Sequence, residues 1–267
     1  MNFIKNIKKK KLLSKPLFTL FVIALSSTVL SSCSSTKNDG LYNGGVVVYD
    51  PMEEQNRQIM AFNQSFHNAI TNPVLRGYRT ITPQPARSGI RNFLRNLKSP
   101  MIFVNQVLQG DISGARDVVL RAAINSSIGV GGIFDVAGYE GIEYEPEDFG
   151  QTLAVWGVGH GPYTVLPFIG PSSLRDYSGY LVDALADPLR LYLFNNDQKL
   201  LYTAKFSAEH LDLRDSLMDT LAELEASSID YYAAVRSTYY QHREALIKDQ
   251  KGTAQSSIPA IPYYEDE

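Results

Sequence analysis

The residue with the clearest chemical potential is Cys33, the one cysteine among the 267 residues of the sequence. It follows Leu30 and two serines at the end of an apolar run that begins at Leu17. This order is typical of a lipobox, in which a signal peptide is cut before the cysteine and the thiol then carries a diacylglycerol. We therefore predict that residues 1–32 are a signal peptide and that Cys33 is lipidated.

The residues before Cys33 have the composition of an export signal. Six lysines precede the apolar run, and no acidic residue occurs before the cysteine. An uncleaved membrane anchor is the alternative, but the thirteen residues from Leu17 to Val29 are fewer than the roughly 20 that span a bilayer. Ser34 rather than aspartate follows the cysteine, which by the usual sorting rule of lipoproteins favours the outer membrane, on its periplasmic face.

Two further residues could take part in catalysis. His160 lies in a glycine-rich run, residues 157–161, where a histidine followed by glycine can contribute to an oxyanion hole. Asp135 stands in an apolar stretch and could act as a base. The chain has no Gly-x-Ser-x-Gly, phosphate-loop, zinc or calcium motif. The favoured interpretations are a turn histidine and a capping or arginine-paired aspartate, so no catalytic residue, metal site or cofactor is predicted.

Arginines in the second half of the sequence are candidates for the partner of Asp135. Arg175 is one, and Arg236 and Arg243 share a helix face seven residues apart. These arginines could instead bind an anionic head group, or lie on solvated faces.

The charge balance argues against nucleic acid as a partner. Residues 1–32 hold six of the 25 basic residues and none of the 28 acidic ones, which leaves a net charge of −9 for the remaining chain. Such a chain gains little from phosphate contacts along a duplex. With Cys33 lipidated, no cysteine remains for a disulfide, and the fold depends on burial of its core.

The elements that must position these residues are mainly helices. After a lipidated tether at residues 33–49, with a possible short strand at 45–49, Asp50 and Pro51 predict a helix start, and Asn72 with Pro73 its end. Further helices are expected from Pro85, from Ser99 with Pro100 up to Gly110, and from Asp111 to about Ser127. Apolar residues at helical spacing later in the sequence predict helices over 174–186, from about 197 onward and over 229–247. A disordered acidic tail is expected at residues 248–267.

Two segments do not fit a helical pattern. Residues 128–142 combine five glycines with several large apolar residues. Residues 149–174 carry no charged side chain but are interrupted by glycines and prolines. A membrane span is the weaker interpretation, because irregular backbone at bilayer depth needs protein or water around it. We predict a short helix from Phe149 to Trp156 followed by a loop.

A cluster of tyrosines in the last predicted helix allows two interpretations. Tyr231, Tyr232, Tyr239 and Tyr240 could form an interfacial belt at a membrane surface. They could equally be core residues whose hydroxyls reach the surface.

Five groups of residues, in order over residues 50–176, resemble the signatures of the MlaA (VacJ) family of outer-membrane lipoproteins. The first groups are Asp50, Pro51, Glu53, Asn56 and Arg57, then Pro83, Gln84, Pro85, Ala86, Arg87 and Gly89, then Asn105, Leu108, Gln109, Gly110 and Asp111. The fourth runs from Asn125 to Ala137, and the strongest includes Phe149, Gly150, Thr152, Gly157, Gly159, Gly161, Pro162, Tyr163, Arg175 and Asp176.

The resemblance implies an all-α, ring-like single domain over residues 50–247, embedded in one membrane leaflet, with Gly/Pro-rich apolar loops. Its implied function is to remove mislocalised phospholipids from the outer leaflet of the outer membrane through an amphipathic channel and to pass them to a periplasmic carrier. No enzymatic activity is implied, and family members associate with trimeric porins. The glycine-rich stretch resembles the part near the channel mouth, which makes Gly129, Gly131, Gly132, Phe134 and Asp135 the candidate lipid-channel residues.

Two other functions remain open at this point. One is a periplasmic lipid hydrolase that uses His160 with Asp135 or Asp176. The other is a structural lipoprotein that scaffolds a porin or envelope complex.

Overall fold

The structure is a computed structural model that describes residues 41–43 and 46–250. Helices dominate this part of the chain, which confirms the predicted helical class. They are α1 Glu53–Phe66, α2 Asn72–Ile81, α3 Gln84–Gln109, α4 Ile112–Ser127, α5 Val136–Tyr139, α6 Phe149–Val155, α7 Leu174–Ala186, α8 Pro188–Asn195, α9 Lys199–Ser227 and α10 Tyr231–Gln250. Cys33, the predicted signal peptide, most of the predicted tether and nearly all of the predicted tail lie outside the described residues.

Two antiparallel hairpins complete the fold. Strands β1 Leu41–Asn43 and β2 Val46–Val48 pair with Leu41 opposite Val48, and β2 falls within the predicted strand. Strands β3 Tyr163–Leu166 and β4 Gly170–Ser173 pair with Tyr163 opposite Ser173. The second hairpin corrects the prediction of a loop after α6, because alternate β3 residues are buried in the core.

Several helix starts follow the sequence closely. The Asp111 carboxylate accepts a hydrogen bond from the Gly114 amide at 2.9 Å and caps α4 as predicted. Asp148 caps α6 in the same way through the Gln151 amide, and Ser173 caps α7. Gly110, at φ +82°, ends α3 in the left-handed conformation that glycine favours.

Two predicted helix boundaries at proline are wrong. At Asn72 and Pro73 the chain passes from α1 through a π-helical turn, His67–Thr71, directly into α2. The helix is continuous here, since the Asn72 amide bonds to the His67 carbonyl, and the π-helical turn directly precedes Pro73, which has no amide to donate. Pro100 lies inside α3, which runs as one helix and packs against α4. The packing of α3 against α4 therefore outweighs the tendency of Pro100 to mark a helix boundary.

Asp50 is not the N-cap that the sequence suggests, since α1 begins at Glu53 after Met52. Its carboxylate instead accepts hydrogen bonds from Asn56 at 2.9 Å, from Arg236 at 2.6 Å and from the Tyr232 hydroxyl. Asp50 thus connects α1 with α10 at the start of the helical domain.

The main core joins β2, α1, β3 and α10. Its buried members are Val48, Met60, Tyr163, Val165, Tyr232, Val235 and Tyr240. Tyr231 and Tyr239 are partly buried and pack against this cluster. The tyrosines are therefore core residues, but their hydroxyls do not reach the surface as expected: those of Tyr232 and Tyr239 donate to the buried Asp50 and Asp176, and that of Tyr240 is buried.

Ion pairs hold α9 against α2 and α3. The Asp215 side chain is only 2% exposed and pairs with Arg79 at 2.5 Å and with Arg87 at 3.0 Å. Asp219, one turn further along α9, pairs with Arg79 from a largely exposed position. A third guanidinium, that of Arg91, lies 4.0 Å from Asp215, so one buried carboxylate ties α9 to cationic groups on both helices.

None of the described helices combines the length and apolarity needed to cross a bilayer.

Candidate functional site

The glycine-rich loop at residues 128–135 is a compact turn between α4 and α5. The Gly132 amide donates to the Asn125 carbonyl at 2.7 Å, and the Phe134 amide donates to the Gly129 carbonyl at 3.0 Å. These bonds satisfy backbone groups that would otherwise be unpaired beside apolar side chains. The loop is therefore an ordered element rather than a flexible connection.

Helix α3 holds this loop through two asparagines one turn apart. Asn92 Nδ2 donates to the Ile133 carbonyl at 3.2 Å. Asn96 Nδ2 donates to Ser126 Oγ at 2.9 Å and lies 3.4 Å from the Gly131 carbonyl. Since residues four apart share a helix face, both amides reach the same loop.

The three predicted glycines of the loop are required for different reasons. A Cβ on Gly129 would lie 2.3 Å from the Phe134 carbonyl oxygen, and one on Gly132 would lie 2.6 Å from Asn96 Cβ. Gly131 faces open space, but its φ of +73° favours glycine. Gly129 and Gly132 therefore permit close packing, whereas Gly131 permits the turn.

Large apolar side chains stand out from the loop into solvent. Phe134 is 58% exposed, Val130 is 61% exposed and Ile128 is 68% exposed. Val130 also has φ +54°, an uncommon conformation for a β-branched residue. Several exposed large apolar side chains on one short, ordered loop are typical of a surface that contacts another apolar phase or partner.

Asp135 is paired at the base of the loop. Its carboxylate accepts hydrogen bonds from Arg121 Nη2 at 2.7 Å and from Asn125 Nδ2 at 2.8 Å, and it caps α5 through the Gly138 amide. Burial raises the pKa of Asp135, but these hydrogen bonds outweigh burial and hold the pKa below its ordinary value. A carboxylate so stabilised in its ionised form is poorly suited to act as a base near neutral pH.

The predicted arginine partners of Asp135 are wrong. Arg175 pairs with the adjacent Asp176 at 2.8 Å, Arg236 pairs with Asp50, and Arg243 pairs with Asp148 at 2.6 Å. Arg121 was missed because its only sequence signal is an arginine on a predicted helix. The helix that carries Arg121 ends at Ser127, so no helical spacing relates it to Asp135.

A small polar cleft of about 10 Å³ opens beside the loop, between α3 and α4. Helix α3 contributes Asn92, Arg95, Asn96 and Ser99 to its lining, and the remaining side chains are Arg121, Asn125, Asp135 and Tyr144. The α3 residues recur at a spacing of three or four, so they form one polar stripe. This stripe was the sequence signal that could have identified the cleft.

Tyr144 lies near two guanidinium groups within this cleft. The Arg95 guanidinium carbon is 4.8 Å from the centre of the Tyr144 ring, and that of Arg121 is 5.7 Å from it. Both distances permit cation–π attraction. The ring therefore helps to hold two cationic groups at the cleft.

His160 contacts two residues of α10. Its Nε2 lies 2.8 Å from Glu244 Oε1, and its ring packs edge-on against Tyr240 at 5.0 Å between centroids. These contacts join the segment after α6 to α10. Within the described part of the chain, no group of three or more His, Cys, Asp or Glu side chains could hold a metal ion.

The structure brings Gly129, Gly131, Gly132, Phe134 and Asp135 together as one loop beside the polar cleft. A helical domain with an ordered apolar loop next to a polar cleft has the amphipathic character of a membrane-associated protein. Comparison with known sequences then defines the family. The family model described as MlaA lipoprotein matches residues 48–246, and the chain belongs to this family.

Named relatives cover most of the chain. It is 36% identical over 231 residues to the intermembrane phospholipid transport system lipoprotein MlaA of Shigella flexneri, covering 85% of this chain and 88% of the relative. The protein of the same name from Escherichia coli K12 is 35% identical with the same coverage. A solved structure described as "Structural basis for maintenance of bacterial outer membrane lipid asymmetry" is 35% identical, with a TM-score of 0.65, covering 74% of this chain and 98% of that chain.

Proposed function

We propose that this protein is an outer-membrane lipoprotein that removes mislocalised phospholipids from the outer leaflet and passes them to a periplasmic carrier, which maintains lipid asymmetry. Membership of the MlaA lipoprotein family carries the proposal, because relatives named for intermembrane phospholipid transport match most of the chain. Cys33 carries the lipid that retains the protein in the outer membrane, and a trimeric porin is its membrane partner. The proposal assigns no catalytic step.

The described site supports transport on physical grounds. Moving a phospholipid between leaflets requires its charged head group to avoid hydrocarbon, where burial of an unpaired charge costs several kcal/mol or more. Here exposed apolar side chains such as Val130 and Phe134 adjoin a cleft lined by Arg95 and Arg121. A lipid at this place would keep its head group among polar groups while its acyl chains contact the loop.

The experiment is a measurement of outer-leaflet phospholipid in a strain that lacks this protein. The wild-type gene is expected to restore asymmetry, whereas Cys33→Ala is expected to fail because the protein does not reach the outer membrane. Fractionation should then find the variant outside the outer-membrane fraction. Gly77→Ala serves as a control, since a Cβ at Gly77 has no atom within 4 Å.

Two results would contradict the proposal. Normal outer-leaflet phospholipid in the deletion strain would exclude a transport role and would leave porin or envelope scaffolding as the function. Full activity of a Cys33→Ala protein would show that the lipid on this residue is not needed.

A further inference from the structure

The segment that contains α8 and α9 lies against the domain with almost no buried side chain. The structure describes every residue from 188 to 231, and among these Asp215 alone is buried. The shorter helix α10, by contrast, buries four apolar or aromatic side chains, those of Tyr232, Val235, Tyr240 and Ile247. Apolar burial, which docks most helices in a globular protein, therefore contributes less to the attachment of α9 than to that of α10.

Ion pairs hold the middle of α9 instead. Asp212, Asp215 and Asp219 follow one another at spacings of three and four residues, so they share one face of the helix. The arginines of α2 and α3 pair with this face: Arg91 with Asp212 at 3.1 Å, Arg79 and Arg87 with Asp215, and Arg79 with Asp219 at 2.8 Å. The face that α9 turns toward α2 and α3 thus carries a row of carboxylates.

These ion pairs are only partly shielded from solvent. The side chains of Arg79, Arg87 and Arg91 are 20–25% exposed, so water and dissolved ions reach the guanidinium groups. An ion pair of this kind gains Coulomb energy but loses the hydration of both groups, and its net contribution is often smaller than that of an apolar contact. Separating α9 from α2 and α3 therefore costs less than separating a helix of the same length that is held by buried apolar side chains.

The two ends of α9 are attached in different ways. Near the C-terminal end, Leu221 and Leu224 pack against the main core. Nearer the N-terminal end, Lys205 Nζ lies 3.4 Å from the carboxylate of Asp187, the residue that precedes α8. The apolar anchor thus lies beyond Asp219, and the part before it depends on charge.

We propose that residues 188–219 form a charge-latched strap, which opens from α2 and α3 as one unit at a free energy below that of global unfolding. Asp215 is the latch, because the three guanidinium groups near it all belong to α2 and α3. Leu221 and Leu224 keep the C-terminal end of α9 attached when the strap opens. This inference goes beyond the proposed function and does not depend on it. Because opening separates opposite charges, salt that screens them favours the open strap.

The test is amide hydrogen exchange of the full lipidated protein in a nonionic detergent, at 0.05 and 0.5 M KCl, about a threefold change in Debye length. A helix freed from its packing frays, so its amides exchange whenever the strap opens. Amides of residues 199–219 are expected to exchange at least about tenfold faster than the most protected amides of α10. The higher salt concentration should raise this exchange by about threefold or more and leave α10 unchanged. Equal protection of α9 and α10 at both salt concentrations would overturn the proposal, because α9 would then separate only when the whole domain unfolds.

A pair of variants tests the latch itself. Asp215→Asn should raise the exchange of residues 199–219 by about a hundredfold or more, since it leaves the arginines without their buried counter-charge, and should change α10 far less. Asp219→Asn is the matched control, because Asp219 lies on the same face in a largely exposed pair, and it should raise exchange by less than about fivefold. Equal effects of the two variants would refute the role of Asp215.

Two further comparisons keep the outcome clear. An equal rise in exchange over all helices of Asp215→Asn would mean that the loss is global, which contradicts a separate strap. If Asp215→Asn does not fold, the salt dependence of the wild type decides the question alone. None of these measurements requires transport, so their results stand apart from those for lipid asymmetry in the deletion strain.

Discussion

Replacing Gly132 with alanine would place a methyl group 2.6 Å from Asn96 Cβ, closer than real side chains approach. Because Asn96 Cβ is fixed to the backbone of α3, the loop or the helix must move. The movement would weaken the hydrogen bonds of Asn96 to Ser126 and to the Gly131 carbonyl, each of which contributes about 0.5–1.5 kcal/mol. Overpacking of this kind costs about 1–3 kcal/mol in addition.

Gly131 provides the matched control, because Gly131→Ala incurs backbone strain without a clash. Both glycines have positive φ, which costs a non-glycine residue on the order of 1–2 kcal/mol. Gly131→Ala should therefore lower the free energy of unfolding by about 1–2 kcal/mol, and Gly132→Ala by about 3–5 kcal/mol. The difference between the two variants measures the contact between the loop and α3.

The assay is urea denaturation of the purified protein, with outer-leaflet phospholipid measured in cells that express each variant. Gly132→Ala should raise outer-leaflet phospholipid while the protein stays in the membrane fraction, because the displaced loop no longer borders the cleft. Gly131→Ala should give a smaller effect. Equal unfolding free energies for the two variants would refute the steric argument, and normal asymmetry with a destabilised Gly132→Ala would separate the loop from transport.

The remaining predictions concern buried charges. Asp215→Asn should lower the free energy of unfolding by about 3–5 kcal/mol, because it leaves Arg79 and Arg87 without their buried counter-charge, whereas Asp219→Asn at an exposed pair should cost less than about 1 kcal/mol. Similar losses in denaturation experiments would contradict this assignment. Burial raises the pKa of Asp183 to about 6, so its ionised form is disfavoured in the fold. Stability should therefore fall by about 3 kcal/mol as the pH rises from about 4 to 6 and then level off. The difference in unfolding free energy between wild type and Asp183→Asn, measured across pH 4–7, should follow this change, and a constant difference would count against it.

Local signals in the sequence were sufficient for elements with strong caps. Gly110 ends α3 and the Asp111 carboxylate caps α4, which are the roles that these residue types favour. The sequence therefore marks the turn between the two helices. Prolines were misleading where distant packing decides the outcome, as at Pro100. The hairpin at residues 163–173 was missed because the burial of Tyr163 and Val165 depends on α10, which lies about 70 residues later in the chain.

The candidate site was predictable in part. The glycines and apolar residues of the loop stand out by composition, because their combination is unusual for a solvated loop. Arg121 could not be identified in this way, since its role comes from the packing of α3 on α4 and no motif records it, whereas Arg95 belongs to the polar stripe of α3 that the sequence does show. The sequence marks Gly132 as a candidate site residue. Only the structure shows that Asn96 of α3 leaves no room for a side chain at this position.

The contacts of Asp50 have a mechanical consequence. Tension along the chain that precedes Asp50 would be shared by its bonds to Asn56 in α1 and to Arg236 and Tyr232 in α10. The first and the last of the described helices would therefore carry such a load together.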